Sequence, residues 1–143
     1  AASEIVNGVF VGCAYTMTTG TKYFTTQQYW PTGTVASDAL AYVVDDPFAL
    51  FQIQADGAVA QAKLGENVDV SATVGYTGTD GSTTTGNSLM AANATTATTN
   101  TFAWRLVDFV NNPGSVSVVG DTYTELIVSW RFGFHAYLIA LGV

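Results

Sequence analysis

Few residues in this sequence carry the chemistry of a catalytic or metal site. The chain has one histidine, His135, and one cysteine, Cys13, so it cannot supply the several nitrogen and sulfur ligands of a typical zinc site. Spacing alone does not exclude a Ser-His-acid triad, because its members can lie far apart in sequence. However, the nucleophile-elbow pattern GxSxG and the phosphate-loop pattern GxxxxGKS/T are both absent. We therefore expect no catalytic, cofactor or metal site, and a hydrolase that depends on His135 is the least favoured function.

The adjacent carboxylates Asp45 and Asp46 come closest to an acid–base or calcium-binding pair. On an extended chain neighbouring side chains point in opposite directions, so these two carboxylates do not converge on one atom. They also precede Pro47, and aspartate before proline favours a turn. The pair therefore predicts a tight corner between two strands.

Charge is scarce in this chain and apolar residues are abundant. Charged residues make up 10% of the sequence, against about 25% in an average globular domain, and 48% of the residues are hydrophobic. The four basic residues are dispersed and the net charge is −7, which argues against nucleic-acid binding, since that affinity comes largely from Lys and Arg neutralising phosphates. Arg131 and His135 interrupt the longest apolar stretch, 126–141, so we expect no membrane-spanning helix. A single cysteine cannot form an intrachain disulfide, and Cys13 is predicted to be a small buried residue.

Strand-forming residues between clusters of Gly, Asn and Asp predict an all-β fold over a single domain, residues 1–143. The clearest alternation places Leu126, Val128 and Trp130 on one face, with Phe132 and Phe134 continuing it. With no βαβ pattern, the class is a small antiparallel β-barrel or sandwich with at most short helical turns. Strands are predicted at 4–16, 22–30, 38–44, 48–55, 67–74, 101–110 and 122–134, and a helical turn at 58–64 ending at Gly65. In the strand at 48–55, alternation places Phe51, Ile53 and Ala55 on one face, and Gln52 and Gln54 on the other.

Two segments depart from this regular pattern. Residues 75–100 form a Gly-, Thr- and Asn-rich tract that predicts a long loop or excursion, and residues 1–12 are interpreted as an N-terminal arm. Loops of this length inside compact domains are usually functional or mobile, so contacts with a partner are expected here first. A surface loop with no specific role is the alternative.

Aromatic residues make up 13% of the chain, and together with the apolar surplus they suggest burial between subunits. A simply larger core is the alternative. The predicted interface lies in the N-terminal segment, at the Tyr29-Trp30 corner and in the long excursion. Its candidate residues are Ile5, Val6, Val9, Phe10, Tyr29, Trp30, Leu89 and Met90.

Four segments resemble the small capsid-associated decoration, or cement, proteins of tailed phages of marine bacteria. They are the opening IVNGVFVG at 5–12, AYVVDDP at 41–47 continuing to FQIQA at 51–55, the tract GSTTTG at 81–86, and RFGFH at 131–135. These motifs are turns and strand edges rather than catalytic signatures, and the resemblance covers most of the chain.

The resemblance implies a virion protein on the outer surface of the icosahedral head, bound to the major capsid protein at capsomer junctions. It also implies a homotrimer, whose symmetric interfaces would bury apolar surface and whose several contacts would add avidity. A carbohydrate- or receptor-binding β-module of a phage fibre or surface structure, stacking sugars on exposed Tyr and Trp, is the alternative function.

Overall fold

Nine β-strands and one short 3₁₀ helix form the regular structure of the part of the chain that is described. The computed structural model describes residues 8–27, 29–71, 90–99, 101–110 and 118–131. Its strands are arranged in three antiparallel sheets, which confirms the predicted all-β class, and within these ranges no sheet closes into a barrel. The strands are β1 (Val9–Thr16), β2 (Lys22–Thr25), β3 (Leu40–Val44), β4 (Leu50–Gln54), β5 (Asn67–Val68), β6 (Val70–Ser71), β7 (Ala91–Ala92), β8 (Trp104–Phe109) and β9 (Glu125–Trp130).

The chain divides into two compact units, each described by itself. The N-terminal unit has described residues 8–27 and 29–45. The C-terminal unit has described residues 46–71, 90–99, 101–110 and 118–131. The single-domain organisation expected from the chain length stays a prediction. No helix in the described ranges is long and apolar enough to span a membrane.

A four-stranded sheet with the order β4-β9-β8-β5 carries the core of the C-terminal unit. The alternation predicted for β9 is confirmed, because Leu126, Val128 and Trp130 are buried while Ile127 and Ser129 are only half-buried. Burial of each large aliphatic side chain contributes roughly 1.5–3 kcal/mol, so this face dominates the stability of the unit. The neighbouring residues on the same face of the sheet, from β5 and β8, are also buried: Val68, Trp104, Leu106 and Phe109.

Three aromatic rings pack against one another at one end of this sheet. Trp104 and Trp130 are cross-strand partners whose ring centroids lie 4.4 Å apart at an interplanar angle of 22°. Phe51 packs edge-on against both tryptophans, at 5.5 and 5.0 Å. In β4 the predicted alternation is also confirmed, since Gln52 and Gln54 are exposed and Phe51 is not. Phe132 and Phe134 lie outside the described residues.

The strand predicted at 67–74 is divided at Asp69. Its first part, β5, pairs with β8, whereas its second part, β6, pairs with β7. The carboxylate of Asp56 supports the second pairing, accepting hydrogen bonds from the Ser71 hydroxyl at 2.6 Å and from the Ala94 N–H at 2.7 Å. Two buried alanines form β7, so the described end of the predicted 75–100 excursion contains a strand. Residues 75–89 and Asn100 of that segment lie outside the described residues.

Turns fall where the sequence predicts them. The Asp46 side chain accepts a hydrogen bond from the Phe48 N–H at 2.9 Å, which fixes the predicted corner after β3. The predicted helical turn is a single 3₁₀ turn at Gln61–Lys63. Gly65 follows it with φ of +87°, a conformation that residues with a Cβ rarely adopt.

A three-stranded sheet with the order β2-β1-β3 forms the N-terminal unit. Its central strand begins at Val9, so the described end of the predicted 1–12 arm is paired in the sheet. A register shift between Phe10 and Gly12 marks a bulge. Gly12 is required there, because a Cβ would lie only 2.5 Å from the Thr25 carbonyl oxygen.

Candidate interaction surface

One face of the three-stranded sheet exposes large apolar side chains. The register pairs Ala14 with both Phe24 and Leu40, and it pairs Gly12 with Tyr42, so all five residues share one face. Phe24 is 64% exposed, Leu40 63% and Tyr42 42%. We call this surface, formed by Gly12, Ala14, Phe24, Leu40 and Tyr42, the aromatic face.

Residue size along the central strand shapes this surface. Gly12 and Ala14 have almost no side chain, so the larger residues on the two outer strands reach across them. The rings of Phe24 and Tyr42 meet with centroids 5.5 Å apart at 60°. Such a tilted pair is favourable by about 0.5–1.5 kcal/mol beyond its buried area, which holds both rings in place. The result is a pre-ordered apolar surface rather than a set of independent side chains.

Charge is nearly absent from the aromatic face. Among the residues of β1, β2 and β3 on this side of the sheet, Lys22 alone is charged, and it lies at one end opposite Thr16. Contiguous exposed apolar surface of this kind is characteristic of a protein–protein contact. The surface therefore fits a partner that buries aromatic and aliphatic groups without requiring an ion pair.

The opposite face of the same sheet is partly covered by its own aromatic residues. Tyr15 is buried, with the Tyr23 ring at 5.3 Å and the Trp30 ring at 5.0 Å from its own. Cys13 lies on this face and is 1% exposed, which confirms the prediction of a small buried residue. Trp30 remains 40% exposed, so it contributes both to packing and to the surface.

An open cleft of about 480 Å³ lies beside the end of β1 in the N-terminal unit, lined by Thr16, Met17, Thr18, Val35, Ala36, Ser37 and Asp38. Thr16 donates to the Asp38 carboxylate twice, from its N–H at 2.9 Å and from its hydroxyl at 2.6 Å. These bonds, that of the hydroxyl first, lower the pKa of Asp38, with a smaller contribution from Lys22. Both bonds come from Thr16, so they fix the end of β1 against the segment that precedes β3.

Five of the residues predicted for an interface lie in the described ranges: Val9, Phe10, Tyr29, Trp30 and Met90. Tyr29 is half-buried beside Trp30, and Met90 is exposed in the C-terminal unit. Ile5, Val6 and Leu89 lie outside the described residues. Val9 and Phe10 are half-buried in β1, where they pair with Val44 and Val43.

Sequence reasoning missed the aromatic face. Alternation in the short segments 22–25 and 40–44 would have placed Phe24 on one side of its strand and both Leu40 and Tyr42 on one side of theirs. No sequence signal says that these two strands flank β1 with their large residues on the same side. That fact follows only from the register.

Chemistry-bearing groups do not cluster in the described ranges. No three His, Cys, Asp or Glu side chains there are close enough to hold a metal ion. His135 lies outside the described residues. The candidate functional feature within these ranges is the exposed aromatic face.

Comparison with known proteins gives no family assignment. No protein-family model, no curated protein and no solved structure matches this chain.

Proposed function

We propose that this chain is a structural protein of a virus particle, a decoration protein that binds the outer surface of an icosahedral head. The observation that carries the proposal is the aromatic face, an exposed and almost uncharged surface on an ordered sheet. Removing charged groups from water costs free energy, and only 10% of the residues of this chain are charged. Burying its surface against another protein therefore carries a small desolvation penalty. Its sequence resemblance to phage cement proteins gives the class of partner, the major capsid protein.

Multiple copies are part of the proposal. A trimer at a capsomer junction would contact several capsid subunits at once, and linked contacts gain avidity without requiring one large interface. The acidic remainder of the surface, with a net charge of −7 per chain, would keep such an assembly soluble. The proposed role is to stabilise the expanded head.

Cosedimentation with expanded heads of the encoding phage tests this proposal. We expect the chain to bind at a fixed ratio, and Tyr42→Ser to weaken binding at least about tenfold, as for a central interface aromatic. Tyr123→Ser is the matched control, because Tyr123 is exposed in the C-terminal unit and is not part of the aromatic face. Light scattering should give the mass of a trimer of 15.0 kDa chains.

One result would contradict the decoration role, and another would contradict its assignment to the aromatic face. A folded monomer that does not sediment with heads would refute the role directly. Equal loss of binding for Tyr42→Ser and Tyr123→Ser would show that binding does not depend on the aromatic face. Circular dichroism checks that both variants remain folded.

A carbohydrate-binding module is the second candidate, and one observation favours it. Trp30 and Tyr23 flank Tyr15 and both are exposed, so a sugar ring could stack on them. Glycan-array binding that Trp30→Ala abolishes and Trp30→Phe retains would support this function. Binding that is unchanged in Trp30→Ala would exclude this stacking site.

A further inference from the structure

Among the described strands of its sheet, β3 lies at an edge, and it is apolar on both faces. Its five residues, Leu40–Val44, have the sequence LAYVV and contain no charge. Its first four residues are exposed, including Tyr42 on one face and Val43, at 43%, on the other. Its pairing is with β1 alone, so among the described residues no strand occupies its outer edge.

Natural proteins usually protect such an edge. A free edge presents unpaired N–H and C=O groups, and charged residues, proline or a bulge normally block the addition of another strand. β3 carries none of these devices, and the bulge in this sheet lies on β1. Continuous apolar composition is instead typical of a strand that is covered on both faces and paired on both edges.

Charge at the ends of β3 indicates which kind of strand would pair with it. Asp38 precedes the strand and Asp45 follows it, and both carboxylates are exposed. The seven-residue separation from Asp38 to Asp45 corresponds to about 23 Å along an extended chain. The basic residue nearest to this strand within its sheet, Lys22, lies on β2 at the opposite edge.

A second copy of this chain fits the edge poorly. In an antiparallel pair of β3 strands, Asp45 of one copy would lie within one residue of Asp38 of the other. In a parallel pair each aspartate would oppose its own equivalent. Like charges placed directly opposite destabilise a strand pair. Charge complementarity therefore favours a different protein over self-association.

We propose that β3 is a β-augmentation site, which accepts an extended apolar segment of another protein, flanked by basic residues about seven positions apart, as a fourth strand. Main-chain hydrogen bonds would provide the affinity, and the Asp38 and Asp45 carboxylates would select the basic flanks. This site does not rest on the virion function, because a segment of this chemistry could belong to any partner.

Synthetic peptides test the site. The probe is acetyl-KVTVTVTK-amide, labelled with a dye and titrated with the whole protein by fluorescence anisotropy in 20 mM salt. We expect it to bind at least about fivefold more tightly than acetyl-EVTVTVTE-amide, since two exposed charge pairs distinguish them. The difference should shrink in 0.5 M salt. A lysine-flanked peptide with a methyl group on every backbone nitrogen, which cannot donate main-chain hydrogen bonds from either edge, should not bind.

Two variants locate the contact. Val43→Lys should weaken binding at least about tenfold by placing a charge on the edge, whereas the control Val107→Lys, at an exposed position in the C-terminal unit, should not. Asp45→Asn, which leaves both bonds from Thr16 to Asp38 intact, should reduce the preference for the lysine-flanked peptide without abolishing binding, which separates flank selection from strand pairing.

Three results would overturn the proposal. The first is the absence of peptide binding by the folded wild-type protein. The second is an equal affinity of that protein for both flanked peptides. The third is self-association that Val43→Lys abolishes, since the occupant would then be a second copy.

Discussion

Replacing Thr124 by valine is expected to destabilise the C-terminal unit, although valine has the same shape and is more apolar. Thr124 is 1% exposed. Its hydroxyl accepts a hydrogen bond from the Val59 N–H at 3.0 Å and donates one to the Asp121 carbonyl at 2.9 Å. Its own carbonyl accepts from the Ala55 N–H at 2.8 Å. The residue thus holds the loop that follows β4 against the start of β9.

The size of the effect follows from what each substitution removes. In Thr124→Val the buried Val59 N–H loses its acceptor, which costs about 1–3 kcal/mol, and the Asp121 carbonyl loses its donor. The added methyl group returns about 0.8 kcal/mol at most. We expect a net loss of about 2 kcal/mol. Thr124→Ser keeps the hydroxyl and loses one methyl group, so it should cost about 1 kcal/mol.

Tryptophan fluorescence during urea unfolding measures both values. In a Trp30→Phe background the signal comes from Trp104 and Trp130, both buried in the C-terminal unit. A loss of about 2 kcal/mol also lowers the thermal midpoint by about 6–8 °C for a chain of this size. The reasoning fails if Thr124→Val is as stable as the wild type, or more stable than Thr124→Ser, because burial of apolar area alone predicts that order.

Three further predictions concern the N-terminal unit. Gly12→Ala should cost about 2 kcal/mol in a urea titration, because the new Cβ would lie 2.5 Å from the Thr25 carbonyl oxygen. The Asp38 pKa lies below its ordinary value of 3.8, so this carboxylate stabilises the fold above that pH and loses its contribution as the pH falls through the folded-state pKa. Carbon-13 NMR should show that pKa rising in Thr16→Val, which removes the hydroxyl bond, and an unchanged value would contradict the assignment. Cys13, at 1% exposure, should react with a thiol reagent only after unfolding, and rapid labelling of the native protein would show that it is accessible.

Local features of the fold could be predicted from the sequence because they depend on neighbouring residues. Alternation with a period of two identified the buried face of β9 and the exposed Gln52 and Gln54. Asp46 before Pro47 predicted the corner, and the small apolar character of cysteine predicted the burial of Cys13. In each case the information lies within a few residues of the feature.

Features that depend on strand partners could not be predicted in this way. The sequence from Asn67 onward alternates without interruption, yet the strand is divided at Asp69 because its two parts pair with β8 and β7. Ala91 and Ala92 have low strand propensity, and they form a strand through pairing and burial.

The residues that could carry function show the same division. Scarce charge, one histidine and one cysteine follow from the sequence alone, and they favour contact over catalysis. Tertiary structure decided where the exposed aromatic face lies. The alternation of side chains assigns each residue to a face of its own strand, but only the pairing of β2 and β3 with β1 brings Phe24, Leu40 and Tyr42 together over Gly12 and Ala14. Register is a long-range property, because it depends on how two separate strands pair. The sequence of one strand does not specify its partner.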